Sequence, residues 1–127
     1  CGERINPMIV EGQTIGGAAQ GIGTALFEES PYDENGQPLA STLLDYLLPG
    51  AAEVPRFRLD HLVSPSPHTS FGVKGAGESG TIPAAAAIAN AINDALLPLG
   101  AKVRTLPMTP PRILNAIAAA GENYEAV

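Results

Sequence analysis

Between residues 72 and 81 the chain reads Gly72-Val73-Lys74-Gly75-Ala76-Gly77-Glu78-Ser79-Gly80-Thr81, and a run with Pro83 and then Ala84 to Ala87 follows at once. No other feature constrains the fold as strongly. Glycines let a backbone reach φ > 0 and approach a neighbour or a ligand closely. A Pro in the first turn and an alanine-rich body predict a helix directly behind the loop. The free N–H groups at such a helix start favour anions. Glu78, the one carboxylate of the loop, is then either a base held beside a bound group or a charge that stabilises the helix start.

Gly75 to Gly80 looks like the opening of a phosphate-binding P-loop. That motif requires Lys and then Ser or Thr after its last glycine. Those places hold Thr81 and Ile82, and Lys74 lies before the glycines. The two groups that carry nucleotide hydrolysis are missing, which argues against that chemistry.

At 127 residues the chain reads as a single domain, 1–127, with one modest core. Hydrophobic residues make up 45% and charged ones 16%, which suits a packed chain rather than a disordered one. The net charge of −6 and the scattered cations argue against a nucleic-acid partner, which needs a basic patch. No apolar run is seen to approach the ~20 residues of a membrane span, so no membrane partner is expected. The one cysteine, Cys1, leaves no internal disulfide framework, and a first residue that is not Met points to a chain cut from something longer.

Helical spacing of Ile15, Ala18, Ala19, Ile22, Ala25 and Leu26 predicts a first helix over 14–29. Gly16, Gly17, Gly21 and Gly23 each weaken it by about 0.8–1 kcal/mol, so packing or a ligand must compensate. Asn35-Gly36 predicts a tight turn between Tyr32 and Leu39. Residues 41–48 are read as extended. Phe57, Leu59, His61 and Val63 alternate with Arg56, Arg58 and Asp60, the pattern of a strand with one buried face. His61 reads as a hydrogen-bonded core histidine, and His68 has no second ligand at metal spacing. Thr81 is expected to cap the helix after the glycine loop, 102–106 to form a short strand, and Thr109 to cap a last helix that frays from Gly121. This order predicts an α+β fold, a two-layer sandwich of helices on a mainly antiparallel sheet.

A second set of residues adds to the glycine loop. Cys1-Gly2-Glu3-Arg4-Ile5-Asn6-Pro7 opens the chain, followed by Glu11-Gly12-Gln13, Gly16-Gly17, Gln20-Gly21-Ile22-Gly23 and Glu28-Glu29. Further on come Ser41-Thr42, Asp45-Tyr46, Glu53-Val54-Pro55, Asn90 to Leu96, and Leu106-Pro107 to Pro110. In this order the set resembles the C-terminal part of the molybdenum-binding subunit of the xanthine dehydrogenase family, which includes aldehyde oxidoreductases and aerobic carbon monoxide dehydrogenase.

The resemblance implies an oxidoreductase that oxidises an aldehyde, an N-heterocycle or carbon monoxide with water-derived oxygen at a molybdenum–molybdopterin cofactor, in its cytosine dinucleotide form. The loop sequence leans towards the bacterial aldehyde and carbon monoxide branches. Glu78 falls on the catalytic glutamate that takes up a proton. Lys74, Gly75, Ala76 and Gly77 match the segment against the cofactor, and Gln13 matches a glutamine near the metal. No residue of the chain is expected to ligate the metal itself. Iron–sulfur clusters and FAD are implied on partner subunits or domains, a small molecule as substrate, and the cytoplasm as location. The chain alone is expected to be inactive without the remainder of the molybdenum subunit. A non-catalytic assembly or anion-binding module, using the glycine loop at a helix start, is the alternative.

Overall fold

The computed structural model describes residues 1–125, with side chains described through Gly121. Three helices carry it: α1 (Pro7–Leu26), α2 (Thr81–Leu96) and α3 (Pro110–Glu125). Short 3₁₀ turns lie at Ser70–Gly72 and Leu97–Leu99.

α1 begins seven residues earlier than the apolar spacing predicts. Asn6 takes the N-cap with extended backbone, its side chain accepts from the Ile9 N–H at 3.3 Å, and Pro7 fills the first helical position. This Asn-Pro pair is a helix-start signal that apolar periodicity alone overlooks.

Two of the five glycines of α1, Gly17 and Gly21, are explained by α2, and a third, Gly23, abuts Glu28 and Pro49. A Cβ at Gly17 would lie 2.7 Å from the Thr81 nitrogen, and one at Gly21 would overlap the Ala84 methyl. Across the contact, a Cβ at Gly80 would overlap the Thr14 carbonyl. The two helices thus meet almost backbone to backbone, which offsets the propensity lost at those glycines. Gly12 and Gly16 face open space.

α2 starts at Thr81 as the loop predicts, but Thr81 does not cap it. Gly80 takes that place, and the Thr81 hydroxyl donates to Gln20 Oε1 at 3.2 Å, a second tie to α1. The helix ends through Leu97–Leu99 at Gly100, whose φ of 64° is left-handed. Contrary to the expectation from composition, the 19 residues Thr81–Leu99 have the length and mean hydropathy (1.3) of a membrane span. Here that apolarity faces α1 and the core on one side and an unpartnered surface on the other.

The core lies at the far end from the loop. Leu96, Ala101, Val103 and Met108 are buried, with Leu26, Ile92, Ile113, Ala116 and Ile117 packed around them. The Met108 N–H donates to the Ala25 carbonyl at 2.6 Å, and Arg112 pairs with Glu29 while donating to the Pro107 carbonyl at 2.8 Å. α3 begins directly after Thr109, as expected, and runs helical through Gly121 to Glu125 rather than fraying there. The remainder of the expected tail, 126–127, lies outside the described residues.

Among the described residues the one β pairing is the bridge between Tyr32 and Pro38, around the turn predicted at Asn35-Gly36. Gly36 has φ 79°, and Asp33 Oδ1 accepts from the Asn35 and Gln37 N–H groups at 2.8 Å each, which holds its carboxyl below the usual range. Within the expected extended run 41–48, residues 42–46 form a turn instead. The Thr42 hydroxyl donates to Asp45 at 2.9 Å, and the Thr42 carbonyl accepts from the Tyr46 N–H at 2.8 Å. Neither expected strand forms a ladder among the described residues. At 102–106 the reason is local: both main-chain groups of Val103 are taken by the Asn93 side chain, at 2.9 and 3.0 Å. At Arg56–Val63 no partner strand is present among the described residues. His61 is hydrogen-bonded as expected, with Nε2 3.2 Å from the Gly2 carbonyl, but it is half-buried and lies outside the core.

A folded 13.0 kDa chain exposes about 6,300 Å² by the usual size scaling. This one exposes 9321 Å². The excess is largely apolar: Ile5, Met8, Leu44, Leu62, Phe71, Ile82 and Leu97 each stand more than two-thirds exposed. Surface of that kind marks an interface.

Candidate cofactor-facing site

The glycine loop reaches its position through a chain reversal. Phe71 (φ 59°) and Gly72 (φ 68°) are both left-handed. A Cβ at Gly72 would press on Pro65, so this turn demands glycine, while Phe71 holds a strained conformation with its ring exposed. The Thr69 hydroxyl donates to the Val73 carbonyl at 2.7 Å and closes the reversal. Lys74 then extends its ammonium to Ser64 Oγ at 3.1 Å.

From Gly75 the loop runs along the start of α1. Gln13, one helical turn and a half into α1, donates its side-chain amide to the Gly77 carbonyl at 3.0 Å. Ser79 Oγ donates to the Ala76 carbonyl at 2.7 Å. The Glu78 carbonyl accepts from Thr81 and Ile82 N–H groups at 3.0 and 3.1 Å, which fixes the residue's backbone to the first turn of α2. The Glu78 carboxylate itself is exposed and has no partner among the described residues.

A groove of about 410 Å³ opens between this loop and the N-terminal segment. Gln13, Lys74, Ala76 and Gly77 line one wall, and Cys1, Ile5, Asn6 and Ile9 line the other. The structure therefore brings together four of the six residues expected at the site. Gly75 and Glu78 belong to the same loop but lie outside the groove lining. The opposite wall has no role assigned from sequence, although Cys1 to Pro7 carry some of the resemblance. Ser64, the partner of Lys74, has no sequence signal.

The donor set suits an anionic, polar ligand. The main-chain N–H groups of Gly75, Ala76, Gly77 and Glu78 have no partner among the described residues. A Cβ at Gly75 would meet nothing within 4 Å, so open space surrounds it on the chain's own side. Unpaired main-chain donors beside an ammonium group are of the kind that favour negatively charged oxygen or sulfur, while Glu3 places a carboxylate in the same groove lining. No group of His, Cys, Asp and Glu that could bind a metal by itself is found among the described residues.

Residues 1–55 match the model of the molybdopterin cofactor-binding domain. The large subunit of nicotine 6-hydroxylase from Paenarthrobacter nicotinovorans is 49% identical over 116 residues, covering 91% of this chain and 14% of that subunit. The carbon monoxide dehydrogenase large chain of Hydrogenophaga pseudoflava is 40% identical over 92% of this chain and 15% of its own length. In the crystal structure of quinoline 2-oxidoreductase from Pseudomonas putida 86, 15% of the matched chain superposes on 93% of this one with TM-score 0.90 and 52% identity. The chain belongs to the family of molybdenum-binding large subunits. It spans about one seventh of the length of the relatives named here.

Proposed function

We propose that this chain forms one wall of the active site of a molybdenum hydroxylase, with Glu78 as the base. The observation that carries the reading is the groove in which Gln13, Lys74, Ala76 and Gly77 converge beside a carboxylate whose backbone is fixed and whose side chain is free. The pterin-bound molybdenum, when present, supplies a Lewis acid and an electron acceptor for oxidation by water-derived oxygen.

Each residue then has a physical task. The Gly75 to Glu78 N–H groups and Lys74 hold the negative charge of the cofactor. Asn6 and Gln13 offer neutral donors and acceptors across the groove. Glu78 accepts a proton at its carboxylate from the attacking oxygen, and closure by the remaining subunit excludes bulk water from it. Because the relatives named for nicotine and quinoline match at higher identity than the carbon monoxide enzyme, the substrate class we infer is an N-heteroaromatic ring. The cytosine dinucleotide form, iron–sulfur and FAD groups on partner subunits, and a cytoplasmic location complete the proposal. The names "large subunit" and "large chain" of the relatives support smaller partners. In this subunit the helices of the chain cover one face of a mainly antiparallel sheet built with the rest of the polypeptide.

The test is Glu78→Gln in the intact molybdenum enzyme. Loss of a general base lowers turnover by about 10²–10⁴-fold, while molybdenum content stays at the wild-type level. Unchanged turnover would favour the reading as an assembly or anion-binding module, which uses the loop N–H groups and needs no carboxylate.

A further inference from the structure

His61 has no part in the proposed chemistry, yet it holds one wall of the groove from behind. Its Nε2 lies 3.2 Å from the Gly2 carbonyl. A carbonyl can only accept, so Nε2 carries the proton of that bond. The thiol of Cys1 packs on the same ring, with Sγ 3.8 and 3.9 Å from its two nitrogens. Cys1 lines the groove. His61 does not; it faces a second hollow of about 270 Å³ together with Arg4, Glu11 and Asp60.

The stretch before α1 has little else to hold it. Among the described residues the main chain of Cys1 and Gly2 has two hydrogen bonds, both to the 61–64 segment. One is the bond from His61 to the Gly2 carbonyl, and the other runs from the Ser64 N–H to the Cys1 carbonyl at 2.9 Å. Gly2 is nonetheless buried, and a Cβ there would stand 1.9 Å from the Gly72 carbonyl oxygen. Its backbone therefore lies directly on the reversal that launches the glycine loop. The same Gly72 carbonyl accepts from the Ser66 N–H at 3.0 Å, and Lys74, just beyond, is tied to Ser64. Gly2 is where the two walls of the groove meet, and the imidazole is the side chain bonded to it there.

We propose that His61 is a positioning residue for the cofactor-facing groove. By donating to the Gly2 carbonyl it seats Cys1-Gly2 against Gly72, and so fixes the spacing between the wall of Cys1 to Ile9 and the loop of Lys74 to Glu78. This rests on the proposed place of the groove at a molybdenum cofactor. His61 acts through Gly2 and Gly72, and the task needs one donor at the place of Nε2 and no change of protonation. Glutamine meets that need, because its amide nitrogen reaches about as far as Nε2 and donates. Methionine has a similar length and shape and no donor.

The test compares His61→Gln with His61→Met in the intact, molybdenum-loaded enzyme, with turnover expressed per bound molybdenum so that lost cofactor does not enter. His61→Met should lower kcat by about tenfold at nearly unchanged KM, and His61→Gln should stay within about twofold of wild type, since small misplacements act on the reacting geometry. A second readout needs no turnover. Alkylation of the Cys1 thiol by iodoacetamide, followed by mass spectrometry of the Cys1 peptide, should run about tenfold faster in His61→Met than in His61→Gln, because a loosened wall opens more often. Neither variant carries an imidazole, so activation of the thiol by the ring is absent from the comparison. His61→Asn, whose amide falls short of the Gly2 carbonyl, replaces His61→Met with the same expectation if the latter does not accumulate. Equal kcat per molybdenum, or equal alkylation, with and without the donor would overturn the positioning role while leaving Glu78 as the base. Both differences in an enzyme whose Glu78→Gln variant keeps full turnover would uphold the positioning role and remove the base.

Discussion

The side-chain amide of Gln13 donates to the main-chain carbonyl of Gly77 at 3.0 Å, across 64 residues of sequence. Gly77 immediately precedes Glu78, so a residue of α1 sets where the carboxylate stands. Gln13→Ala removes one hydrogen bond, a direct loss of about 0.5–1.5 kcal/mol. Its larger effect is on placement, and kcat in the intact enzyme should fall by about 10–100-fold with KM and molybdenum content little changed. Gln13→Glu should be worse, since a carboxylate cannot donate to the Gly77 carbonyl. Steady-state kinetics with metal analysis of both variants checks this; a change confined to metal content would assign Gln13 to cofactor retention instead.

Four of the five glycines of α1 divide into two groups with opposite expected outcomes. Gly17→Ala and Gly21→Ala drive a methyl into the first turns of α2 and should destabilise by about 1–3 kcal/mol. Gly12→Ala and Gly16→Ala meet no atom within 4 Å in this chain and should raise the helicity of α1, by up to about 1 kcal/mol each. Thermal unfolding followed by circular dichroism separates the two groups. Equal effects at all four positions would remove the close α1–α2 contact as their explanation.

The Asn93 side chain ties α2 to the strand-like 102–106 segment. Its Oδ1 accepts from the Val103 N–H and its Nδ2 donates to the Val103 and Ala89 carbonyls. Asn93→Ala strands both Val103 groups beside the core and should cost about 1–3 kcal/mol. Asn93→Asp loses the donors and sets a charge against two carbonyls, so it should cost at least as much at neutral pH. Chemical denaturation of the two variants measures the difference.

The Tyr46 hydroxyl donates to the Glu28 carboxylate at 2.5 Å. This bond, then burial, then the negative charge of Glu28 raise the phenol above its usual range. A raised folded-state value stabilises the fold fully below the ordinary phenol pKa of about 10 and loses that contribution as pH rises through the folded value. Wild type should therefore lose its advantage over Tyr46→Phe only at strongly alkaline pH. Stability measured for both proteins between neutral and alkaline pH tests the sign; a gap that stays constant into strongly alkaline pH would overturn it.

Much of this molecule is legible in its sequence. The Asn35-Gly36 turn, the helix behind the glycine loop and the last helix after Thr109 are each specified by residues adjacent in the chain. What escapes is non-local. The reason for Gly17 and Gly21 lies in Thr81 and Ala84, some 60 residues away, and the link from Lys74 to Ser64 has no motif. The strand expected at 102–106 does not form because Asn93 competes for Val103, a choice that periodicity cannot register. Arg56–Val63 carries a strand's alternation in its sequence, yet no ladder forms there among the residues described.

Gly80 sits hard against the carbonyl of Thr14, the residue next to Gln13. The loop that bears Glu78 and the amide that steadies it are thus indexed to the same turn of one helix. If α1 tilts or slides within the subunit, both travel with it, and their spacing survives. The register of the Glu78 carboxylate is thereby tied to one helix turn. With Glu78 as the proposed base, other walls of the pocket are free to diversify without re-aiming it.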